Sequence, residues 1–320
     1  MIHTYYIIKF IRSNLEKSDF IWMDDNYLDW DDANISVMSH TLHYGTGVFE
    51  GIRARETSIG VAIFRLQDHI DRLFTSAEAY NLNIPYSKDK ILEASKEIVF
   101  KNKLNNAYIR PLVFFGSGEM GLLPGKELPV HVAISAWSWG AYLGGDAEEN
   151  GVKVCLSPWE RISPKSFKPY AKGVGGYMNS TLAKVDAVER GYDDAIMLSD
   201  TGNVAEGSGQ NLFLVKENKI TTPPIETGAL NGITRRTVIN IAEQMNLDVN
   251  EEDIGQEDLL GADELFFTGS ATEVVGVVSV DNNDIGDGKP GDITNKIRKE
   301  YMNIVLGKNE DYVHWLTKVD

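Results

Sequence analysis

Residues 107–115, AYIRPLVFF, form a run too continuously apolar for a surface segment and read as a buried strand. Arg110 interrupts it. A guanidinium inside a buried strand is costly unless paired, so Arg110 is expected to face an anion or a carboxylate, which makes it a site candidate on physical grounds. Further strands are expected at 20–23, 35–38, 61–64 and 130–136. Apolar residues at 66, 70, 73, 74, 77 and 80 keep a helical period, with Arg72 on the polar side of the stripe, and Ile91, Leu92, Ile98 and Val99 mark another helix. Strands mixed with amphipathic helices predict an α/β (mixed α+β) fold, and 320 residues are ample for two domains. Composition shifts to glycine, aromatics and acid after residue 136. The expected organisation is therefore a smaller unit over 1–136, whose first 18 residues are an extension, a linker at 137–149 and a larger unit over 150–320.

The second half is expected to hold strands at 151–156, 194–199, 203–206, 211–215 and 263–268, with a helix over 177–190. In ALNGITRRTVINIAEQM, Val238, Ile241, Ala242 and Met245 share one helical face, with Thr234 as the expected N-cap. A Gly-Ile-Thr start presents free N–H groups and the positive end of the helix dipole, which suits a phosphate. Gly269-Ser270-Ala271-Thr272 is a second small-residue turn with donors. The loop DNNDIGDG fails the EF-hand spacing and reads as a polar hairpin.

The stretch AKGVGGYMNSTLAK sets Lys172 at a glycine-rich turn running into a helix. A lysine amine loses its proton readily once desolvated and can then condense with an aldehyde. Gly173, Gly175 and Gly176 would allow close backbone approach and positive φ angles. A surface lysine beside a flexible turn is the plainer alternative. Two nucleotide readings fail: a P-loop needs its lysine after the last glycine, and a dinucleotide fingerprint needs glycine where Met178 stands. Glu206 is expected at a strand end, immediately before Gly207-Ser208-Gly209.

Lys plus Arg 31 against Asp plus Glu 47 gives a net charge of −16, so the surface should repel nucleic acid and anionic membranes. Apolar stretches are too short for a membrane span. The single cysteine, Cys155, reads as a buried thiol in a reducing cytoplasm. MIHTYYIIKFI has neither a basic start nor a cleavage site, which argues against a targeting segment. His40 and His43 are three apart but have no acidic or cysteine partner nearby, so no metal site is expected.

The blocks MSHTLHYGTGVFEGIR, AYIRPL, WGAYLG, AKGVGGYMNS, ERGYDDAI, VAEGSGQNLF, LNGITR and FFTGSATEV, in this order, resemble the branched-chain amino-acid aminotransferases, class IV enzymes of fold type IV that use pyridoxal 5'-phosphate. The resemblance runs from about residue 20 to the C-terminus. It implies that Lys172 forms the Schiff base and that Glu206 bonds the pyridine nitrogen, keeping the ring protonated as an electron acceptor. Tyr177 would lie near the cofactor hydroxyl, Leu230 on the ring face, and Arg72, Ile233, Thr234 and Ser270 around the phosphate. Phe49, Gly51, Tyr108, Trp139 and Tyr177 would line a pocket for a leucine, isoleucine or valine side chain. Arg110 would meet a carboxylate, and the Ser270 and Ala271 amides the α-carboxylate. Tyr44 and Leu122 would reach into a neighbouring subunit's site, making a dimer the minimum unit, within a hexamer in some assemblies. The implied partners are amino acids and 2-oxo acids, with 2-oxoglutarate and glutamate as the second pair.

Departures from the family pattern stand at Gly176-Tyr177, where members often carry glycine-asparagine before the tyrosine, at Asn231 in place of proline and at Gln210 in place of glutamate. A D-amino acid aminotransferase would lead one to expect Arg-x-His, against Arg110-Pro111-Leu112 here. The WGAYLG block speaks against an aminodeoxychorismate lyase. A non-catalytic binding protein of the same fold would need neither Lys172 nor Glu206.

Overall fold

The computed structural model describes residues 15–320, apart from 126, 141, 142, 144 and 145. The apolar stretch over 1–11 and most of the expected extension lie outside the described residues. Two mixed layers of sheet and helix make up the molecule, an α/β architecture.

The first sheet has eight strands. Ala107–Phe115 lies near its middle, flanked by Ile52–Thr57 and Val130–Trp137, and Gly47–Phe49 also pairs with it. All its pairings are antiparallel, and helices Leu66–Ala79 and Lys88–Lys101 cover one face. Ile70, Leu73, Ile91 and Ile98 from the helices pack on Ile52 and Ile109, all fully buried. Removing such side chains from water is the main stabilising term for this layer.

The second sheet has nine strands, with Val152–Leu156 parallel to both Glu273–Val280 and Asp194–Leu198. Helices Ile233–Gln244 and Asp292–Val305 cover it through Ile241 and Ile297, which meet Phe213 and Phe266. Ala62, Phe64 and Leu316 from the first sheet join this same cluster. The last strand, Leu316–Lys318, pairs with Gly60–Phe64, so the C-terminal chain returns to the first sheet.

Two expectations are corrected, and one strand had no sequence signal. Residues 35–38 form no strand; the partner of Phe20–Met23 is Asn26–Asp29. Asp24 and Asp25 take φ of 48° and 65°, the two positive angles that close a two-residue hairpin, and Ile35, Val37 and Met38 stay exposed. Thr234 is not the N-cap of its helix: Gly232 holds that position, and Thr234 lies inside the first turn. The strand Glu273–Val280 carries no alternation in the sequence, because it is buried at every residue. The loop after it is a polar hairpin, as expected, with Val280 opposite Asn283. Cys155 is fully buried and unpaired, and burial pushes its thiol up to about 11.

Candidate active site

Helix Leu66–Ala79 is the pedestal of the site. His69, Arg72 and Ser76 are spaced three and four apart, which puts them on one face. Ser76 Oγ accepts the Lys172 N–H at 3.0 Å, while the Lys172 carbonyl accepts the Phe49 N–H at 3.1 Å. The lysine backbone is thus held between helix and sheet, and only its side chain is free to point into the cleft. Its Nζ lies 2.5 Å from Tyr177 Oη and 5.0 Å from the Phe49 ring centroid.

The glycines after Lys172 serve packing rather than unusual backbone angles. Gly173 and Gly176 have φ of −84° and −68°. A Cβ on Gly173 would lie 3.0 Å from Tyr80, and one on Gly176 2.9 Å from Phe167. The Gly175 N–H donates to the Gly45 carbonyl at 3.1 Å, bringing the two loops backbone to backbone.

Glu206, on strand Val204–Gly207, is 5% exposed, and its carboxylate is held by two donors and one ion pair. Arg161 Nε, which donates to the Gly228 carbonyl at 3.2 Å, forms an ion pair with Oε1 at 2.8 Å; the Leu230 N–H at 3.0 Å and Asn211 Nδ2 at 3.2 Å donate to Oε2. Behind it, buried Asp194 accepts from Ser208 Oγ at 2.5 Å, Gln210 Nε2 at 2.9 Å and Lys184 Nζ at 2.8 Å. This explains the glutamine at 210: a carboxylate there would face Asp194, whereas the amide donates to it.

Arg72, on the polar side of its helix, has a side chain only 12% exposed. Its Nε and Nη2 donate to the two oxygens of Glu50 at 2.7 and 2.8 Å, and Nη1 donates to the Asn231 carbonyl at 3.1 Å. That last contact needs only a main-chain carbonyl, which asparagine supplies as well as proline would. His69 Nδ1 donates to Glu50 at 2.7 Å. Burial alone would raise the Glu50 carboxyl; Arg72 and then His69 overcome this and hold it far below the usual carboxylate range. Burial lowers His69, and Glu50 offsets this only in part because its charge is already matched by Arg72.

One cleft between the sheets collects Lys172, Tyr177, Glu206 and Leu230 with Arg72, Ile233, Thr234, Ser270 and Ala271, and Gly51 and Tyr108 close it on the other side. Phe49 stands just behind, its ring 4.7 Å from that of Tyr177, and Trp139 meets Tyr108 edge-on at 4.6 Å. The Arg110 guanidinium lies 4.7 Å from the Phe49 ring centroid, and its Nε is buried without a hydrogen-bond partner. No acid among the described residues makes an ion pair with Arg110, so the carboxylate expected from its burial is not supplied by the chain itself. Tyr44 and Leu122 are 41% and 87% exposed, on the outer surface. The His40 ring nitrogens are engaged by Thr46 Oγ1 and the Gly121 carbonyl, a structural role.

Glu50, His69, Arg161 and Asn211 belong to the site and were not singled out from sequence. His69 and Arg72 at three-residue spacing were the available signal. Glu50 and Arg161 lie in segments with no pattern that points to their partners.

The donor set suits a phosphorylated aldehyde cofactor. The first-turn N–H groups at Ile233 and Thr234 have no intrahelical acceptor, Arg72 stands over that helix start, and Thr268 Oγ1 is buried on the cleft wall without a partner. Lys172 supplies an amine for the aldehyde carbon and Glu206 an oriented carboxylate.

Residues 47–280 match the model of the family described as amino-transferase class IV. The chain is 47% identical to the branched-chain-amino-acid aminotransferase of Pseudomonas aeruginosa, over 96% of this chain and 99% of that protein, and 40% identical to that of Escherichia coli, over 95% and 99%. Among solved structures it is similar to the E. coli branched-chain amino acid aminotransferase, with a TM-score of 0.93, 40% identity and coverage of 95% of this chain and 100% of that one. It is also similar to the branched-chain amino acid aminotransferase of Thermobaculum terrenum in its PLP-bound holo-form, with a TM-score of 0.88, 32% identity and coverage of 95% and 99%.

Proposed function

The chain belongs to the class IV aminotransferase family, and from that premise we propose that it is a branched-chain-amino-acid aminotransferase of fold type IV. It moves the amino group of L-leucine, L-isoleucine or L-valine to 2-oxoglutarate, giving the branched 2-oxo acid and L-glutamate. The observation that carries this reading is the meeting of the Lys172 amine, the Glu206 carboxylate and the Arg72 helix-start cradle in one cleft, in a chain so similar to enzymes of that name.

Pyridoxal phosphate, when bound, supplies the electron sink that makes the substrate Cα–H acidic. Arg72 and the N–H groups of Ile233 and Thr234 hold its phosphate, with Ser270 beside them. Glu206, fixed by Arg161, Asn211 and Leu230 N–H, keeps a proton on the ring nitrogen. Lys172 would hold the aldehyde carbon, and its Nζ would carry the substrate proton between Cα and that carbon, two bonds apart across the nitrogen. Tyr177 Oη, 2.5 Å from that Nζ, orients the amine between the two positions. Phe49, Tyr108 and Trp139 exclude water and accept the alkyl side chain. Arg110, half-buried and with its Nε short of an acceptor, binds the distal carboxylate when glutamate occupies the same pocket. The Ser270 and Ala271 amides receive the α-carboxylate.

We place the enzyme in the cytoplasm as a homo-oligomer built on a dimer, with its two domains divided at residues 137–149. No helix of the described residues is long and apolar enough to cross a membrane; Tyr44 and Leu122 are offered outward, within reach of a second subunit.

The test is the visible absorption of the purified protein before and after L-leucine, with a coupled assay of glutamate formation. L-Leucine should convert the yellow form to the pyridoxamine form. Lys172→Ala should lose roughly 10³-fold or more in turnover, in line with the usual worth of a positioned proton carrier. A Lys172→Ala protein with full transamination sinks the assignment.

A further inference from the structure

Arg53, on strand Ile52–Thr57, is 8% exposed, and its hydrogen bonds all go to main-chain carbonyls. Nη1 donates to Trp139 O at 2.8 Å and Nη2 to Gly140 O at 3.0 Å; Nη2 also reaches Ala271 O at 3.2 Å, and Nε reaches Ser270 O at 3.4 Å. Its neighbour Glu273 is already paired with Arg55 at 2.6 Å. The guanidinium carbon lies 5.7 and 5.8 Å from the ring centroids of Tyr108 and Trp139. A buried cation spent wholly on carbonyls of two separate segments is unusual, because burial disfavours its charge and a carboxylate would compensate it better.

Those two segments matter to the proposed reaction. Residues 139 and 140 follow strand Val130–Trp137 of the first sheet and carry the aromatic wall of the side-chain pocket. Residues 270 and 271 form the turn of the second sheet whose amides are to receive the α-carboxylate. We propose that Arg53 is the positioning residue that sets the distance between the α-carboxylate turn and the side-chain wall, and so determines how tightly a branched amino acid is gripped at both ends. The proposal rests on the aminotransferase reading above.

The chemistry selects arginine. A planar fork with five donors can bridge two strands of backbone, while an ammonium on a single stem can satisfy one or the other. Held by the guanidinium, the Ser270 carbonyl also fixes the Ser270–Ala271 peptide plane, and with it the direction of the Ala271 N–H.

The experiment compares wild type, Arg53→Lys and Arg53→Met as holoenzymes. The readouts are cofactor content from the visible band, Tm, KM and kcat for L-leucine, and Ki for 4-methylvaleric acid, a leucine-shaped acid without the amino group. We expect Arg53→Lys to keep its cofactor and Tm, to raise KM and Ki together by about tenfold or more, and to lower kcat less than threefold. Hydrogen exchange should rise at 137–140 and 269–273 and nowhere else. Unchanged KM and Ki overturn the proposal, as does a fall in Tm and cofactor content that accounts for the loss. If Arg53→Lys does not fold, Arg53→Met, which keeps the volume without the charge, decides on the same readouts; collapse of both makes Arg53 a purely structural residue. A wild type with no leucine-dependent transamination removes the functional reading itself, whereas an active wild type with indifferent variants removes only Arg53.

Discussion

Glu50 is fully buried and faces two bases at once, Arg72 through both oxygens and His69 through one. Because Arg72 already balances its charge, His69 gains little from protonation and loses its hydration by being buried, so it is held neutral in the folded state. The Glu50 carboxyl and the His69 imidazole are both lowered on folding, and a lowered group binds fewer protons folded than unfolded. Stability is therefore complete at neutral pH, begins to fall as pH drops below about 6.5, where an unfolded histidine protonates, and falls again below about 4.3 as unfolded Glu50 does. His69→Gln keeps a donor for Glu50 without the titration. The expected result is a wild-type Tm that declines by a few degrees more than the variant's between pH 7 and pH 5; parallel curves would show that the imidazole titrates alike in both states. At this scale the sequence was most informative where a residue type is itself rare in its setting. Arg110 inside an apolar strand and Lys172 at a glycine turn could be singled out from their neighbours in the chain. Arg72 could not be lifted from a solvated face without the resemblance, since its reason, Glu50, lies 22 residues earlier on another element.

Elements were legible wherever a periodic pattern met a local stop signal, as at Ala107–Phe115, whose expected and observed limits agree. Caps supplied from elsewhere in the chain were not. Helix Asp292–Val305 begins at Gly291, which has no side chain to accept its free N–H groups. Glu264, from strand Glu264–Gly269, does so instead: its two oxygens accept Ile293 N–H at 2.9 Å and Thr294 N–H at 2.7 Å, and the Thr294 hydroxyl at 2.7 Å. Glycine at 291 makes room for that carboxylate, because a Cβ there would lie 2.0 Å from Glu264 Cδ. A negative charge at a helix start also meets the favourable end of the dipole. Glu264→Ala should cost about 1–2 kcal/mol and lower Tm by roughly 2–6 °C, with turnover at 25 °C unchanged, because Glu264 stands at the opposite end of its strand from Thr268 and Gly269, which line the cleft. A variant that melts with wild type would mean that water caps the helix as well as Glu264 does. The same reasoning accounts for Thr234: a local cap was the natural expectation, but a cap residue would fill the ground that the proposed phosphate needs, and Gly232 leaves the first turn bare.

For the whole molecule, the outer surface near residues 35–44 and 120–123 is more apolar than a chain of net charge −16 needs for itself. Val37, Leu42, Leu122 and Leu123 are each at least 60% exposed, and Tyr44 is 41% exposed. Residues on a strand or helix of one subunit reveal their partners by burial; those that await another subunit look from one chain like misplaced core, and only the resemblance assigned Tyr44 and Leu122 a site. If each protomer lends these residues to its partner's cleft, a defect at Leu122 and a defect at Lys172 act on different sites of the dimer. In a Leu122→Glu homodimer both clefts receive a charged wall, and in a Lys172→Ala homodimer both lack the amine, so each protein alone is inactive or nearly so. A mixed dimer differs: the cleft built on the Leu122→Glu protomer keeps its own Lys172 and receives an intact Leu122 from the Lys172→Ala protomer. Random reassociation of equal amounts makes half the dimers mixed, each with one sound cleft of two, which sets the expected recovery near about a quarter of wild-type activity. The variants are dissociated in mild denaturant, mixed, reassociated and assayed with L-leucine and 2-oxoglutarate, against each variant treated alone. Recovery near that value requires a cleft shared between protomers, whereas mixed protein no more active than the mean of its parents would confine every working residue to a single chain.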